Sequence, residues 1–160
     1  MAAKQEKKPE LYETAAFQAD ELLKLDNQLC FAFYVCSKEI IKKYRPLLSP
    51  LGLTYTGYIA MLALWEKDDI TVKELGERLY LDSGTLTPLL KKLQSLGYIN
   101  RLRSESNERN VYVTLTHKGR ELKKEAAQVP VKLASSLGCG LENAGQILEQ
   151  LRQIMKLIAE

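Results

Sequence analysis

The sequence predicts a mainly α fold with a small β-hairpin wing, a winged helix-turn-helix that dimerises through its N- and C-terminal helices. Three observations predict it. Thr71-Val72-Lys73-Glu74 opens one short amphipathic run, and Asp82-Ser83 opens another shortly after it. Two stretches of alternating polar and apolar residues, 98–103 and 109–115, follow directly. Broad apolar stripes at helical spacing recur toward both ends of the chain.

Composition bounds the organisation. A chain of 160 residues, 46% hydrophobic and 27% charged, suits one compact domain with its own core. Residues 1–10 are polar and lysine-rich with no apolar period, and are expected to be a disordered tail. Residues 11–160 are then one domain, with the winged helix-turn-helix at about 54–116 and dimerisation helices at about 12–50 and 117–159. No apolar run approaches the roughly 20 residues of a membrane span, and no apolar h-region follows the N-terminal lysines. A cytoplasmic protein without a membrane partner is expected.

Cys30, Cys36 and Cys139 form no CxxC pair, and His117 is the sole histidine, so no disulfide framework, metal site or cofactor is indicated. The net charge of +3 is small, but its placement is uneven. Thr71 to Arg120 holds nine Lys or Arg against five acids, which leaves the rest of the chain slightly negative. Such an excess supports a nucleic-acid face only together with a motif.

The elements follow in chain order. Asp26 and Asn27 can cap a helix on which Leu29, Phe33, Ile40 or Ile41, Tyr44 and Leu47 or Leu48 recur at steps of three and four. Pro46 and Pro50 bend or end it. Thr54 starts a short helix carrying Tyr58, Met61, Leu62 and Trp65, closed by the charged turn from Glu66 to Asp69. Past the central segment, Thr116 caps a helix through Leu122, Ala126, Val129 and Leu133, with a kink at Pro130. Gly138-Cys139-Gly140 is a break. The last helix, from Leu141, carries Ile147, Leu148, Leu151, Ile154, Met155 and Ile158. These stripes exceed what one small winged domain covers, so a dimer interface is expected; the alternative is packing within the monomer.

In the central segment, the Thr71 hydroxyl and the Glu74 carboxylate match a capping box. Val72, Leu75 and Leu79 form the inner face of that helix, and Tyr80-Leu81 is the turn. Asp82 or Ser83 caps the next helix, which buries Leu86, Leu89, Leu90, Leu93 and Leu96 and stops at Gly97. Its outward residues are Ser83, Gly84, Thr85, Thr87, Pro88, Lys91 and Lys92. Small hydroxylated residues at the N-terminal end let a helix enter a major groove, while lysines bind phosphate. An ordinary solvated face has the same composition. The following hairpin, with Arg101 and Arg103 on one arm, Asn107 in the connection and Arg109 at its root, tips the reading toward a wing on double-stranded DNA.

These residues resemble the MarR family, and within it the organic-hydroperoxide-sensing branch. The resemblance rests on LDNQLCF (Leu25 to Phe31), LGLTY (Leu51 to Tyr55), the run from Ile70 to Leu93 and the wing ending in Glu108-Arg109. DSGTLTPLLK, Asp82 to Lys91, is its most specific piece. It implies a homodimeric repressor that holds a palindromic operator when reduced and releases it when an organic hydroperoxide oxidises it. One departure is Asn107, where the family usually has Asp, which replaces a carboxylate beside arginine with an amide.

The resemblance also assigns the thiols. Cys30 falls in the first turn after the Asp26-Asn27 cap, where the positive end of the helix dipole favours a thiolate; its neighbours Leu29, Phe31 and Phe33 equally fit a buried inert cysteine. Cys30 matches the family's sensing cysteine, Tyr34, Tyr44 and Tyr55 match tyrosines that hydrogen-bond its thiolate, and Cys139 matches the resolving cysteine of two-cysteine members. Tyr44 is fourteen residues from Cys30, about 21 Å along a continuous helix, so it would serve the partner subunit. An intersubunit Cys30–Cys139 disulfide is the implied oxidised product, and Cys36 is read as packing. Three other functions stay open at this point: a thiol peroxidase, a winged-helix protein that makes only protein contacts, and a regulator that answers to a small phenolic ligand.

Overall fold

The computed structural model describes residues 19–103, 111–137 and 141–158, and divides into two compact units at the Ile40–Ile41 boundary. The 1–10 tail, the wing connection with Asn107 and Arg109, and Cys139 lie outside the described residues.

The first unit holds α1 (Ala19–Leu22), a 3-10 turn (Leu25–Asn27) and the start of α2 (Leu29–Leu48). Asp26 and Asn27 do not cap α2, contrary to expectation. They form the separate 3-10 turn, and the Asn27 amide donates to the Glu21 carbonyl oxygen at 2.8 Å. The Gln28 amide donates to the carbonyls of Leu22 and Lys24. Carbonyls at the end of a helix lack intrahelical donors, and these amides turn back to supply them. Along this unit Leu22, Leu23, Leu25, Leu29, Phe33 and Val35 are exposed in the single chain.

The second unit contains the rest of α2, which continues through Pro46 to Leu48, and a 3-10 turn (Ser49–Leu51). It then runs through α3 (Tyr55–Glu66), β1 (Ile70–Thr71), α4 (Val72–Leu79), α5 (Ser83–Ser95), β2 (Ile99–Arg103), β3 (Val111–Leu115), α6 (His117–Ala126), α7 (Gln128–Leu137) and α8 (Leu141–Ile158). α3 is the central helix, packed on α4, α5, α6 and β3. Gly57, Ala60 and Ala63 give it slim faces, and Tyr58, Met61 and Leu64 are almost fully buried.

Local chemistry sets the helix starts. The hydroxyl oxygens of Thr54, Thr71 and Thr116 accept from the backbone N–H of Gly57, Glu74 and Gly119 at 3.0–3.1 Å, each three residues on. The Lys67 ammonium donates to the Glu74 carboxylate at 2.6 Å, and this bond, then Coulombic attraction and the Thr71 backbone, hold that carboxyl below its ordinary range.

The hairpin is part of a three-stranded antiparallel sheet in the order β1-β3-β2, in which Ile70 pairs with Val113 and Arg101 also pairs with Val113. β1 was not anticipated: two residues give no alternation to read. The kinked helix expected at Pro130 is two helices. The break falls at Ala127, because Pro130 has no N–H for the Ala126 carbonyl and its ring crowds that carbonyl; within the first turn of α7 the missing N–H is harmless. On α8, Ile147, Leu148, Met155, Leu157 and Ile158 are exposed, with Leu151 and Ile154 half-buried. Among the described residues no single helix is long and apolar enough to cross a membrane.

Candidate nucleic-acid interface

The geometry of α4 and α5 starts at their junction. Tyr80 takes a left-handed conformation (φ 54, ψ 39), and the Leu81 N–H reaches the Gly76 carbonyl at 3.0 Å, so the chain reverses within two residues. Asp82 then caps α5 with both oxygens: Oδ1 accepts the Thr85 N–H at 2.8 Å and Oδ2 accepts the Thr85 hydroxyl at 3.1 Å. These bonds, the backbone one first, hold the Asp82 carboxyl below its ordinary range. A Cβ on Gly84 would lie 3.0 Å from Asp82 Oδ1, so a small residue suits this cap.

Leu86, Leu90 and Leu93 of α5 are buried, while Leu89 and Leu96 are half-buried. Ser83, Gly84, Thr85, Thr87, Pro88, Lys91 and Lys92 are all exposed, so every residue expected on the outer face is outside the core. Pro88 inside the helix has no N–H to give the Gly84 carbonyl. α5 ends where Gly97 adopts φ 74.

The two described wing arginines are not equivalent. Strand register puts Ile99, Arg101 and Arg103 on the face shared with Leu115, Val113 and Val111, the face turned to the helices. Arg101 is half-buried, and its Nε donates to Gln94 Oε1 of α5 at 2.8 Å, whereas Arg103 is exposed. Gln94 thereby fixes an arginine between α5 and the wing, a role that needs tertiary pairing and carries no local sequence signal. A groove of about 780 Å³ separates α4, α5 and the hairpin, with Lys73, Tyr80, Ser83, Thr87 and Arg101 among its walls.

The thiol-related residues fall in both units. In the first, Cys30 is the second residue of α2 and is exposed; Tyr34, also exposed, is one turn further along the same helical face. The Tyr34 ring stacks 6.4 Å from Phe31, with the Lys38 ammonium 5.6 Å from its centroid. Cys36, expected to pack, is exposed in the single chain. In the second unit the Tyr44 ring lies 4.9 Å from Tyr55 and 5.8 Å from Tyr58. Burial, reinforced by Tyr55 and Tyr58, pushes the Tyr44 phenol up to about 12. It is therefore a neutral hydrogen-bond donor across the physiological range. Tyr58 was not singled out in the sequence, because a tyrosine among Met61 and Leu64 looks like core there.

A capped two-helix motif with a small outward face, followed by a basic hairpin, defines a winged helix-turn-helix of the type found in gene regulators. The family described as transcriptional regulator SarA/Rot matches residues 42–126. The chain is 46% identical to the organic hydroperoxide resistance transcriptional regulator of Bacillus subtilis, over 86% of this chain and 91% of that one. Among solved structures it is similar to reduced AbfR bound to DNA, with TM-score 0.73 and 32% identity over 89% of this chain and 100% of that one. It is similar also to disulfide-formed AbfR, with TM-score 0.62 and 34% identity over 89% and 97%; AbfR is a Staphylococcus epidermidis protein. The chain belongs to the MarR family of winged-helix transcriptional regulators, in the branch of the organic hydroperoxide resistance regulators. It is a regulator and not an enzyme, which sets the thiol-peroxidase alternative aside.

Proposed function

We propose that this chain is a homodimeric repressor that acts in the cytoplasm, holds a palindromic operator while Cys30 is reduced, and releases it when an organic hydroperoxide oxidises Cys30. The observation that carries the reading is the exposed Cys30 thiol in the first turn of α2, one turn from the Tyr34 phenol. The similarity to the Bacillus regulator and to AbfR, whose reduced form was solved on DNA and whose disulfide form was also solved, supports it.

The chemistry is two balanced steps. The Cys30 thiolate attacks one peroxide oxygen, the O–O bond breaks, the alkoxide takes a proton and leaves as the alcohol, and the sulfur becomes a sulfenic acid. The Cys139 thiol of the partner subunit then attacks that sulfur, an S–S bond forms and water leaves. Tyr34, with Tyr44 and Tyr55 serving the thiol of the other protomer, would donate hydrogen bonds to the thiolate.

Dimerisation is supported by the apolar residues exposed along the first unit and by those exposed along α8, each of which suits a partner surface. Two recognition helices must sit about 34 Å apart to meet successive major grooves, so a small change at the dimer helices is enough to release DNA. On α5, Ser83, Gly84, Thr85, Thr87 and Pro88 are assigned to groove contacts, and Lys91 and Lys92 to phosphates. Arg101 and Arg103, with Asn107 and Arg109, are assigned to the wing.

The test is a gel shift on the upstream region of the chain's own gene, with and without an organic hydroperoxide, for wild type and Cys30→Ser. Release by hydroperoxide in wild type and retention in Cys30→Ser is the expected result. A Cys30→Ser protein that still releases overturns the thiol mechanism and favours the small-ligand reading. Non-reducing gels should show a peroxide-induced dimer band that Cys139→Ser abolishes.

A further inference from the structure

We infer that Tyr80 is a DNA-backbone contact, placing its phenol beside the N-terminal end of the recognition helix; this rests on the DNA-binding reading above. The turn between α4 and α5 needs a left-handed residue, because the Leu81 N–H bonds to the Gly76 carbonyl and the Tyr80 N–H to the Glu77 carbonyl, a Schellman ending. Glycine is the unstrained choice at such a position. Among the described residues the other left-handed positions are Gly52 (φ 67), Gly97 (φ 74) and Asp69 (φ 57), the last a residue type that tolerates this region. Among the described residues, position 80 alone places a bulky aromatic there.

Core packing does not account for that choice. The Tyr80 residue is 77% exposed, so its strain gains little burial in return. Its surroundings supply another reason. Tyr80 shares the groove beside α5 with Ser83 and Thr87, together with Lys73 and Arg101, the one acid there being Glu77. On its other side it borders Arg152 and Lys156 of α8, with Glu149. Lys73 and Arg152 pair with Glu77 and Glu149 at 3.7 and 3.8 Å, and cations outnumber acids four to two around this exposed phenol. Next to the end of the helix that enters the groove, the phenol fits a phosphate oxygen as acceptor. Strained residues of this kind persist where the site uses them.

The test uses full-length protein with two duplex probes, the chain's own upstream region and a random sequence, and measures affinity against salt alongside the melting of the free protein. Tyr80→Phe should weaken binding to both duplexes about threefold. It should leave the salt slope unchanged, because a neutral phenol releases no counterion. Tyr80→Gly should weaken binding at least as much while the free protein melts about 2 °C higher, since the turn is relaxed. Unchanged affinity in both variants overturns the inference. So does a Tyr80→Gly protein that melts lower or loses its dimer, which would make the ring structural. Failure of wild type to prefer its own upstream region would instead count against the regulator reading, and the random duplex would still test Tyr80.

Discussion

Trp65 donates its indole N–H to the Gly119 carbonyl oxygen at 2.8 Å, pinning the end of α3 to the first turn of α6. The close approach depends on glycine, because a Cβ at position 119 would lie 2.0 Å from the Tyr98 carbonyl oxygen. That oxygen cannot yield freely, since it accepts from the Thr116 N–H at 3.0 Å. Gly119→Ala should therefore cost about 2–3 kcal/mol, as overpacking a rigid backbone contact does. Thermal melting should drop by roughly 5 °C or more. Gly145→Ala on α8 is the control: a Cβ there meets nothing within 4 Å, and melting should hold or rise slightly.

The Thr85 hydroxyl gives its only proton to Asp82 Oδ2, so toward a base it can act only as an acceptor. In a major groove it would then read the amino group of adenine or cytosine, not the acceptor edge of guanine. Thr85→Val should relax preference at one base pair of the operator in a selection experiment, and the base lost should be an adenine or cytosine. Lys91→Ala should weaken binding to operator and random DNA alike and lower the salt slope by about one. A uniform loss for Thr85→Val as well would overturn the base-reading role.

Much of this architecture was legible because its determinants are local. Thr54, Thr71, Asp82 and Thr116 each start a helix by bonding a backbone N–H three residues on, and that relation is written in adjacent residues. The outward face of α5 was legible for the same reason, as the complement of Leu86, Leu90 and Leu93. What escaped depended on partners distant in sequence or on competition between neighbours. β1 exists only because Ile70 and Thr71 meet Val113 and Tyr112. Asn27 looked like a cap, but the carbonyl of Glu21 takes its amide. The pairing of Arg101 with Gln94 of α5 joins positions on two different elements, and no local pattern marks it.

The Asp82 carboxyl is held below its ordinary value near 3.8 by the Thr85 N–H and hydroxyl, which gives the recognition helix an acid-sensitive start. A depressed folded value means that the cap's contribution is present above the ordinary value and fades as pH falls through the folded one. Acid unfolding should start at higher pH in Asp82→Ala, with the N-terminal turn of α5 losing amide protection first. Asp82→Asn keeps a good cap without a titrating group, so melting of that variant should be less acid-dependent below pH 4. Identical acid profiles for wild type and Asp82→Asn would contradict the assignment.

At the alkaline end the sign reverses. Burial first, then Tyr55 and Tyr58, raise the Tyr44 phenol from 10.0 to about 12. The folded chain therefore holds this proton more tightly than the unfolded chain. Its contribution to stability is full below pH 10 and is lost as pH rises from about 10 toward 12. Tyr44 is half-exposed, so solvent screening reduces the effect. Two measurements check it. In an absorbance titration of the phenolates, one tyrosine should ionise only near pH 12, and Tyr44→Phe should remove that step. The same substitution should flatten the loss of melting temperature between pH 10 and 12 while leaving it little changed at pH 7, because at neutral pH the wild-type phenol is already uncharged. If Tyr44→Phe shifts melting equally at pH 7 and pH 11, the hydroxyl acts through its neutral contacts and its ionisation does not matter.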